Sequence, residues 1–394
     1  MLRKLIFTCI VAVLVLSTSV APAVAQAPAS PTVQFQQVLD PIASGFTTPW
    51  TWDMQVAPFK GRLYAAIFDS NVSPTMLSSA DGKNWQKVGV DGLGYDGSYG
   101  DALALLAFNG KLYMTLQSGT SPTIIARSSD GVDWETVYTA RDNVGTPGYS
   151  DDPDKMGIFN GMLYVTTSGA TTHILRSPSG NPGSWQMTDE SLGTNVISSS
   201  APTVFKKALY FSNTDASGVH VWRSKNGLHW TQVGQGVVDD PSNENDGNLV
   251  VFKGNLYFCT DYNAWGNPTH PDTSVGHIYR SADGIHWKLV EPMGSGSIIP
   301  NPGEIDSLFV YQGQLYALSY TYVAEGYPRD FVYRSSTGNT GDWVKVNPDG
   351  IVAAFSARGQ QVVFNNDLYI ATFYYGPPYP EGDFSEALYK MINQ

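Results

Sequence analysis

Cysteine is nearly absent from this chain: only Cys9 and Cys259 occur in 394 residues. Cys9 lies in a hydrophobic N-terminal segment, which leaves Cys259 without a partner for an internal disulfide bond. Stability must therefore come from a sizeable core, which a chain of this length can supply. Because Cys259 lies in an apolar strand pattern, we expect a buried and unreactive thiol.

Positive charge is also scarce, with 23 Lys and Arg residues against 35 Asp and Glu residues and a formal net charge of −12. The electric field of a chain with this negative charge repels nucleic acid and anionic surfaces, so no nucleic-acid partner is expected. No nucleotide, haem or flavin motif is present, and we predict no organic cofactor.

Long hydrophobic runs are limited to one, residues 5–16. This run follows Arg3 and Lys4 and precedes the small residues 23–25, a pattern typical of a secretory signal peptide. It is too short to span a bilayer comfortably. We predict a signal peptide at 1–25, a short linker at 26–33 and one domain at 34–394. The protein is expected to be secreted, extracellular or periplasmic, without membrane insertion; its oligomeric state has no sequence signal.

Helical periodicity is absent, and two short motifs recur instead. The first is a strand, a tight turn and a strand. It occurs as FKGRLY (59–64), FNGKLY (108–113), FNGMLY (159–164), FKKALY (205–210), FKGNLY (252–257), YQGQLY (311–316) and FNNDLY (364–369). The second follows the first six copies, as SSADGKNW (78–85), RSSDGVDW (127–134), RSPSGNPGSW (176–185), RSKNGLHW (223–230), RSADGIHW (280–287) and RSSTGNTGDW (334–343).

Each repeat of about 50 residues thus holds four short antiparallel strands, here called A to D, which is typical of a propeller blade. The seventh repeat ends before its fourth strand. Residues 35–38 resemble residues 85–88 in spacing and character, so the N-terminal strand is expected to complete the last blade and remove its open edge. The predicted fold is an all-β, seven-bladed β-propeller of four-stranded antiparallel blades.

The second motif is similar to the Asp-box, or BNR repeat, of the sialidase-like superfamily, because Ser, Asp, Gly and Trp occur in that order. The resemblance implies a propeller that binds its ligand opposite these turns. Asp81, Asp130 and Asp283 are expected to accept hydrogen bonds from their own turns and to be scaffold. The chain is not a close match to true sialidases, whose N-terminal Arg-Ile-Pro motif it lacks, so no catalytic role is carried over.

The two ends of the strands differ in their connections. The A–B and C–D turns are short and share one face, the turn face, whereas the D–A and B–C connections share the opposite face, the loop face, where ligand contacts concentrate. The residues opening the A strands are expected to ring the mouth of this face: Asp53, Asp101, Asp154, Ser199, Asp246, Asp306 and Arg358, with Glu304 close by.

Three interpretations of these acids stay open. Gathered carboxylates raise one another's pKa, which suits catalysis, and the candidate catalytic residues are Asp53, Asp101, Asp154, Asp246, Glu304 and Asp306. These clustered carboxylates would also suit Ca²⁺ at the acidic mouth, and no other metal site is predicted. Alternatively, they cap strand starts and remain solvated.

Aromatic and cationic residues in the loop-face connections are candidates for ligand binding: Trp52, Trp265, Tyr262, Tyr327, Arg141, Arg329 and Arg358. Aromatic planes beside carboxylates suit the faces and hydroxyls of a sugar, although the rings could instead pack the loops. We therefore expect a glycan or glycoconjugate partner in a binding or surface-interaction role. The alternative is a glycoside hydrolase or polysaccharide lyase with two mouth carboxylates as acid and base. The sequence does not decide whether the protein is an enzyme.

Overall fold

The fold was analysed in a computed structural model of the chain. The residues it describes are 32–41, 54–68, 74–95, 99–118, 121–140, 152–188, 191–196, 198–215, 217–238, 245–261, 276–292, 304–322, 328–351, 360–375 and 384–393. The strands form seven antiparallel sheets of four strands each, two of which carry one short additional strand. Neighbouring A strands contact one another around the ring. The predicted seven-bladed β-propeller is confirmed.

Three blades occupy the first half of the chain. The first strand is β1 (Val33–Leu39). Blade 1 contains β2 (Gln55–Phe59), β3 (Arg62–Ile67), β4 (Thr75–Ser79) and β5 (Gln86–Val88), followed by one 3-10 turn at Asp91–Gly94. Blade 2 contains β6 (Tyr99–Phe108), β7 (Lys111–Ser118), β8 (Ile124–Ser128) and β9 (Trp134–Thr139). Blade 3 contains β10 (Asp152–Phe159), β11 (Met162–Thr171), β12 (Ile174–Ser177), β13 (Gln186–Met187) and the additional β14 (Thr194–Val196).

Four blades complete the ring. Blade 4 has a divided A strand, and contains β15 (Ser198–Ser199), β16 (Thr203–Phe205), β17 (Ala208–Asp215), β18 (Gly218–Ser224) and β19 (Thr231–Val233). Blade 5 contains β20 (Asn245–Phe252), β21 (Asn255–Asp261), β22 (His277–Ser281) and β23 (Trp287–Pro292). Blade 6 contains β24 (Glu304–Tyr311), β25 (Gln314–Tyr322), β26 (Pro328–Ser335) and β27 (Trp343–Lys345). Blade 7 contains β28 (Gln361–Phe364), β29 (Asp367–Tyr375) and β30 (Phe384–Asn393), with β1 as its outer strand.

The ring closes through the two ends of the chain. Strand β1 pairs antiparallel with β30, with Val33 opposite Asn393 and Gln37 opposite Tyr389. The backbone N–H of Val33 also donates to the carbonyl of Val346 in blade 6, at 2.8 Å. The predicted closure by the N-terminal strand is therefore confirmed, and β1 covers the outer edge of β30 from Leu388 to Asn393.

The A–B turns are two-residue hairpins in which both central residues have positive φ, as in Asn109 (48°) and Gly110 (72°). This geometry matches the twist of the flanking strands and explains the Asn-Gly and Lys-Gly pairs. Lys60 and Lys253 occupy the first position, and each donates from Nζ to a carbonyl in the C–D turn of the next blade, at 2.7 Å. The two kinds of turn therefore share one face, as predicted.

The C–D turns are held by their own side chains. In blade 5, the hydroxyl of Ser281 accepts from the N–H of Gly284 at 2.8 Å, and the carboxylate of Asp283 accepts from the N–H groups of Ile285 and His286 at 2.8 Å each. The scaffold role predicted for the turn aspartates is confirmed. The tryptophan that follows each turn packs in an apolar cluster with the preceding blade, as Trp343 does with Tyr257.

Tyrosines of the first motif fit against turn glycines of the next blade. A Cβ at Gly284 would lie 2.1 Å from the Oη of Tyr210, and a Cβ at Gly82 would lie 2.0 Å from the Oη of Tyr369, which links blade 7 to blade 1. Only glycine leaves room for this contact. Six of the seven blade interfaces thus repeat one arrangement of tyrosine, glycine and tryptophan.

This contact gives a prediction for stability. Gly284→Ala should lower the free energy of unfolding by about 2–4 kcal/mol, because positive φ costs a Cβ about 1 kcal/mol and overpacking adds about 1–3 kcal/mol. Gly254→Ala is the matched control, since Gly254 has φ of 74° against 76° for Gly284 but nothing within 4 Å of the added carbon. Urea unfolding of both variants should separate the cost of backbone strain from the cost of the collision with Tyr210. An equal loss of free energy of unfolding in the two variants would contradict the tyrosine contact.

The core is distributed as apolar clusters between neighbouring blades. Cys259 is fully buried in the cluster between blades 5 and 6, as expected. Among the described residues, no helix has the length and apolar character needed to cross a membrane.

Candidate functional site

Four A strands are irregular where they approach the loop face. Their pairing with the B strands shifts between Ala102 and Ala104 in blade 2 and between Ile305 and Ser307 in blade 6, with similar shifts in blades 3 and 5. A bulge adds a residue on one strand and redirects its side chain, and such bulges often lie beside active sites. The predicted mouth therefore coincides with bulges in four of the seven blades.

The structure places four of the predicted acids near the loop-face ends of the A strands. Asp101 lies opposite Gln117 and Asp246 opposite Thr260, while Asp154 and Asp306 occupy bulges. Glu304 opens β24 and lies opposite Tyr320. Side chains are described only for Asp154 and Asp306. The remaining predicted site residues lie outside the described residues: Asp53, Trp52, Trp265, Tyr262, Tyr327, Arg141 and Arg358.

Asp154 belongs to a buried hydrogen-bond network between blades 3 and 4. Its carboxylate accepts from the hydroxyl of Ser199 at 2.6 Å, and Ser199 also contacts Thr166 at 2.8 Å. The backbone carbonyl of Asp154 accepts from Thr115 in blade 2 at 2.9 Å. Asp154 therefore ties three blades together, with its carboxylate bonded to blade 4 and its backbone carbonyl bonded to blade 2.

Other polar residues join the A strands in the same way. The amide of Asn248 donates to the carbonyl of Leu308 at 2.7 Å and accepts from its N–H at 2.7 Å, which joins blades 5 and 6. Gln361 donates to the hydroxyl of Ser307 at 2.8 Å, joining blades 7 and 6. Most of the described polar groups at the inner ring thus stabilise the scaffold.

Arg329, a predicted ligand-binding residue, lies half-buried at the loop-face end of strand C in blade 6. Its guanidinium donates to the carbonyl of Asp349 at 2.9 Å, and its stem packs against Gly350. Arg329 therefore holds the D–A connection of its own blade while part of its side chain stays accessible.

Asp330, which the sequence analysis missed, is the most unusual polar residue of the described structure. It is fully buried, and neither carboxyl oxygen has a hydrogen-bond partner. Burial raises the pKa of Asp330 well above its usual range, and the negative charge of neighbouring Asp306 raises this pKa further. An unpaired buried charge is very costly, so we expect Asp330 to be neutral in the folded protein.

Asp330 lies on the side of blade 6 that faces blade 7. It is two residues from Val332 on one face of the strand, and Val332 packs in one cluster with Ile370 of blade 7. Thr372, two residues beyond Ile370, also has a buried hydroxyl without a hydrogen-bond partner. Asp306, with 6% exposure, is the member of the acidic pair nearer to solvent. The loop-face end of this interface thus holds two side chains, those of Asp330 and Thr372, whose buried oxygens have no hydrogen-bond partner.

A neutral carboxyl next to a charged one is an arrangement suited to acid–base chemistry. Within the described part of the chain, no group of three or more His, Cys, Asp or Glu side chains is placed to hold a metal ion. Asp330 could have been noticed in the sequence, because the other five blades with the second motif have an uncharged residue at the equivalent position. These residues are Pro74, Thr123, Thr172, Val219 and Gly276.

The raised pKa of Asp330 gives a prediction for the pH dependence of stability. The folded protein keeps a proton that the unfolded chain releases above pH about 4, so the free energy of unfolding falls as the pH rises from about 4 toward the folded pKa. Asp330→Asn removes this pH-dependent fall in the free energy of unfolding. The Tm of the variant relative to wild type should therefore increase steadily from pH about 4 to about 8.

Asp283→Asn is a control of opposite sign. Hydrogen bonds from His286 and the turn N–H groups lower the pKa of Asp283, so its stabilising contribution is present above pH about 4 and is lost at lower pH. A difference in Tm between Asp330→Asn and wild type that does not change with pH would contradict a neutral Asp330.

Comparison with solved structures finds related propellers at low sequence identity. An α-L-arabinofuranosidase from Fusarium graminearum, in complex with an iminosugar inhibitor, shares 14% identity over 92% of this chain and 98% of its own, with a TM-score of 0.50. A mutant of that enzyme, with an iminosugar inhibitor, gives 13% identity and a TM-score of 0.53. A sialidase from Trypanosoma rangeli covers 73% of this chain and 55% of its own, with 14% identity and a TM-score of 0.47.

No protein-family model and no curated protein sequence matches this chain. The similarity to the arabinofuranosidase extends over nearly the whole of both chains, and at this identity it establishes the fold alone.

Proposed function

We propose that this propeller binds a carbohydrate on its loop face and hydrolyses a glycosidic bond with the Asp306–Asp330 pair. One observation carries the proposal: at the loop-face end of blade 6, the fully buried carboxyl of Asp330 has no hydrogen-bond partner and lies within electrostatic reach of Asp306. Burial of two acids near each other costs stability, whereas a neutral carboxyl close to a second acid can tune the proton affinity of the acid that reaches a ligand.

The two acids have different roles in this proposal. Asp306 retains 6% exposure and is the member that can approach a ligand, whereas Asp330 has none and acts through Asp306 as a positioning residue. In hydrolysis, the bond between the anomeric carbon and the glycosidic oxygen breaks. Water supplies the hydroxyl to that carbon and a proton to the leaving oxygen. Asp306 takes part in this proton transfer, and the proton on Asp330 sets the charge of the pair.

Three features support a carbohydrate as the ligand. The predicted loop-face residues include aromatic planes beside carboxylates, which suits a sugar ring. The second sequence motif resembles the Asp-box of sialidase-like proteins, and we include that assignment in the proposal. The arabinofuranosidase, which has the same fold over 92% of this chain, was solved with an iminosugar inhibitor. The proposal also includes export directed by residues 1–25 and a glycan or glycoconjugate outside the cytoplasm.

Glycan binding without cleavage is the second candidate function, and one observation favours it. Asp154, at the level of Asp306 in the ring, is committed to the scaffold through Ser199. If the remaining acids are committed in the same way, the mouth provides contacts but no reactive group.

The test is a screen of the full-length mature protein against aryl furanosides, aryl pyranosides and polysaccharides. Reducing-sugar release, ultraviolet absorbance of unsaturated products and binding on a glycan array are measured in parallel. The proposal expects release of reducing sugar from at least one substrate class. Binding alone would favour the second candidate, unsaturated products would indicate a lyase, and no response in any assay would refute a carbohydrate ligand.

A further inference from the structure

Asn-Gly pairs occur three times in the chain, and the two kinds of turn hold them differently. Asn109-Gly110 and Asn160-Gly161 form the A–B turns of blades 2 and 3, whereas Asn226-Gly227 belongs to the C–D turn of blade 4. The proposed function uses none of the three. In an Asn-Gly pair the main-chain nitrogen can readily attack the preceding side-chain amide, because glycine has no Cβ to obstruct the approach. The surroundings of each pair therefore decide whether it reacts.

The two A–B turns leave both reacting groups accessible. Asn109 and Asn160 are exposed, and neither carboxamide has a hydrogen-bond partner among the described residues. Both glycines are exposed as well, and a Cβ added to Gly110 or Gly161 would have no atom within 4 Å. The nitrogen of each glycine lies in the middle of a two-residue hairpin and so is not part of the strand ladder. Each turn thus offers an accessible nucleophile and space for ring closure.

The C–D turn of blade 4 holds the same pair in a closed arrangement. The N–H of Gly227 donates to the hydroxyl of Ser224 at 2.8 Å, and Gly227 is buried. The carboxamide oxygen of Asn226 accepts from two N–H groups of its own turn, at 2.9 and 3.0 Å. A Cβ at Gly227 would lie 2.1 Å from the Oη of Tyr164, so this turn has no spare volume. Attack of the Gly227 nitrogen on Asn226 would require these hydrogen bonds to break first.

We propose that Asn109 and Asn160 are sites of spontaneous deamidation in the folded protein, whereas the C–D turn protects Asn226. The glycine nitrogen loses its proton to the solvent and forms a bond to Cγ of the asparagine. The bond from Cγ to the amide nitrogen breaks, and that nitrogen takes up a proton and leaves as ammonia. Water then opens the five-membered imide at either carbonyl, which yields aspartate or isoaspartate. Both products add a negative charge to the turn.

Isoaspartate also adds a carbon atom to the main chain of a two-residue turn. It should weaken these hairpins, because a turn with positive φ at both positions matches the twist of its strands at its normal length. Both turns lie on the turn face, opposite to Asp306, so deamidation should lower Tm without changing ligand binding by the folded protein. The proposal therefore does not depend on the proposed function.

The experiment stores the full mature chain in mildly alkaline buffer for several weeks, in parallel with the same chain in concentrated urea. Peptide mass spectrometry gives the extent of deamidation at each asparagine, and enzymatic methylation of isoaspartyl groups gives the isoaspartate content. In the folded protein, Asn109 and Asn160 should react at least about tenfold faster than Asn226, because the hydrogen bonds around Asn226 add to its barrier. In urea the three rates should be similar, since glycine follows each asparagine.

Asn109→Lys/Asn160→Lys is the matched variant, since Lys-Gly forms the same turn in blades 1 and 5. Its Tm should stay constant during storage, whereas the Tm of wild type should fall. Ser224→Ala, which removes the acceptor of the Gly227 N–H, should raise the rate at Asn226 and leave the rate at Asn109 unchanged. Absence of deamidation at either Asn109 or Asn160 in the folded protein would overturn the proposal. So would equal rates at the three asparagines in the folded protein, or the same difference in rate in urea.

Discussion

Replacing Asp306 by Asn is expected to lower kcat for glycoside hydrolysis by about 10²–10⁴-fold, the range for loss of a general acid or base. Stability should be unchanged or slightly higher, because the variant removes a negative charge next to buried Asp330. The measurement is the kcat of purified variant and wild type on the best substrate of the screen, with Tm recorded in the same buffer.

Asp154→Asn is the matched control, since both aspartates are 6% exposed and occupy bulges of A strands. Its kcat should stay within about threefold of wild type. Its stability should fall by about 1–3 kcal/mol, because the hydroxyl of Ser199 loses a charged acceptor. Equal losses of activity in both variants would show that the acids act through the scaffold. Full activity of Asp306→Asn would contradict a catalytic role for Asp306 and Asp330.

Deleting residues 1–39 is expected to abolish cooperative folding of the propeller. The deletion removes β1, exposes the edge of β30 and uncovers apolar surface that Val33 and Leu39 bury in two clusters. These two side chains contribute about 1.5–3 kcal/mol each, and every lost ladder hydrogen bond about 0.5–1.5 kcal/mol. The sum is comparable with the total stability of a typical domain, about 5–15 kcal/mol.

Deletion of residues 1–31 is the control for this experiment, because it leaves β1 intact. Circular dichroism melts and size-exclusion chromatography should show a folded species without aggregation for the control and aggregated or unfolded protein for the longer deletion. A synthetic peptide of residues 31–41 should restore folding. An unchanged Tm for the chain that lacks β1 would contradict closure by the N-terminal strand.

Much of the fold was predictable because each blade repeats the same local chemistry. Asn109-Gly110 predicts a two-residue hairpin, and the structure has positive φ at both residues. Counterparts of Gly284 and Trp287 recur in six blades because the glycine holds a tight contact with a tyrosine, here Tyr210, and the tryptophan packs between blades. Closure was predictable because only the N-terminal segment offered the missing strand.

The site was less predictable, because repeat position does not determine the partner of a side chain. Asp154 and Asp306 are equivalent in sequence, yet the first binds Ser199 of the next blade and the second adjoins Asp330. Asp330 lies in strand C, in a run followed by the apolar residues Phe331 and Val332, and so was not considered with the acids of the A strands. The pairing of these two acids depends on a bulge and on burial between blades, and neither feature can be recognised in a single sequence.

The central claim, that Asp330 is neutral beside Asp306, is tested most directly by infrared difference spectroscopy of wild type against Asp330→Asn at neutral pH. We predict the C=O stretch of a protonated carboxyl group in wild type and its absence in the variant. A difference spectrum with only the bands of an ionised carboxylate would contradict the claim and the acid–base role built on it.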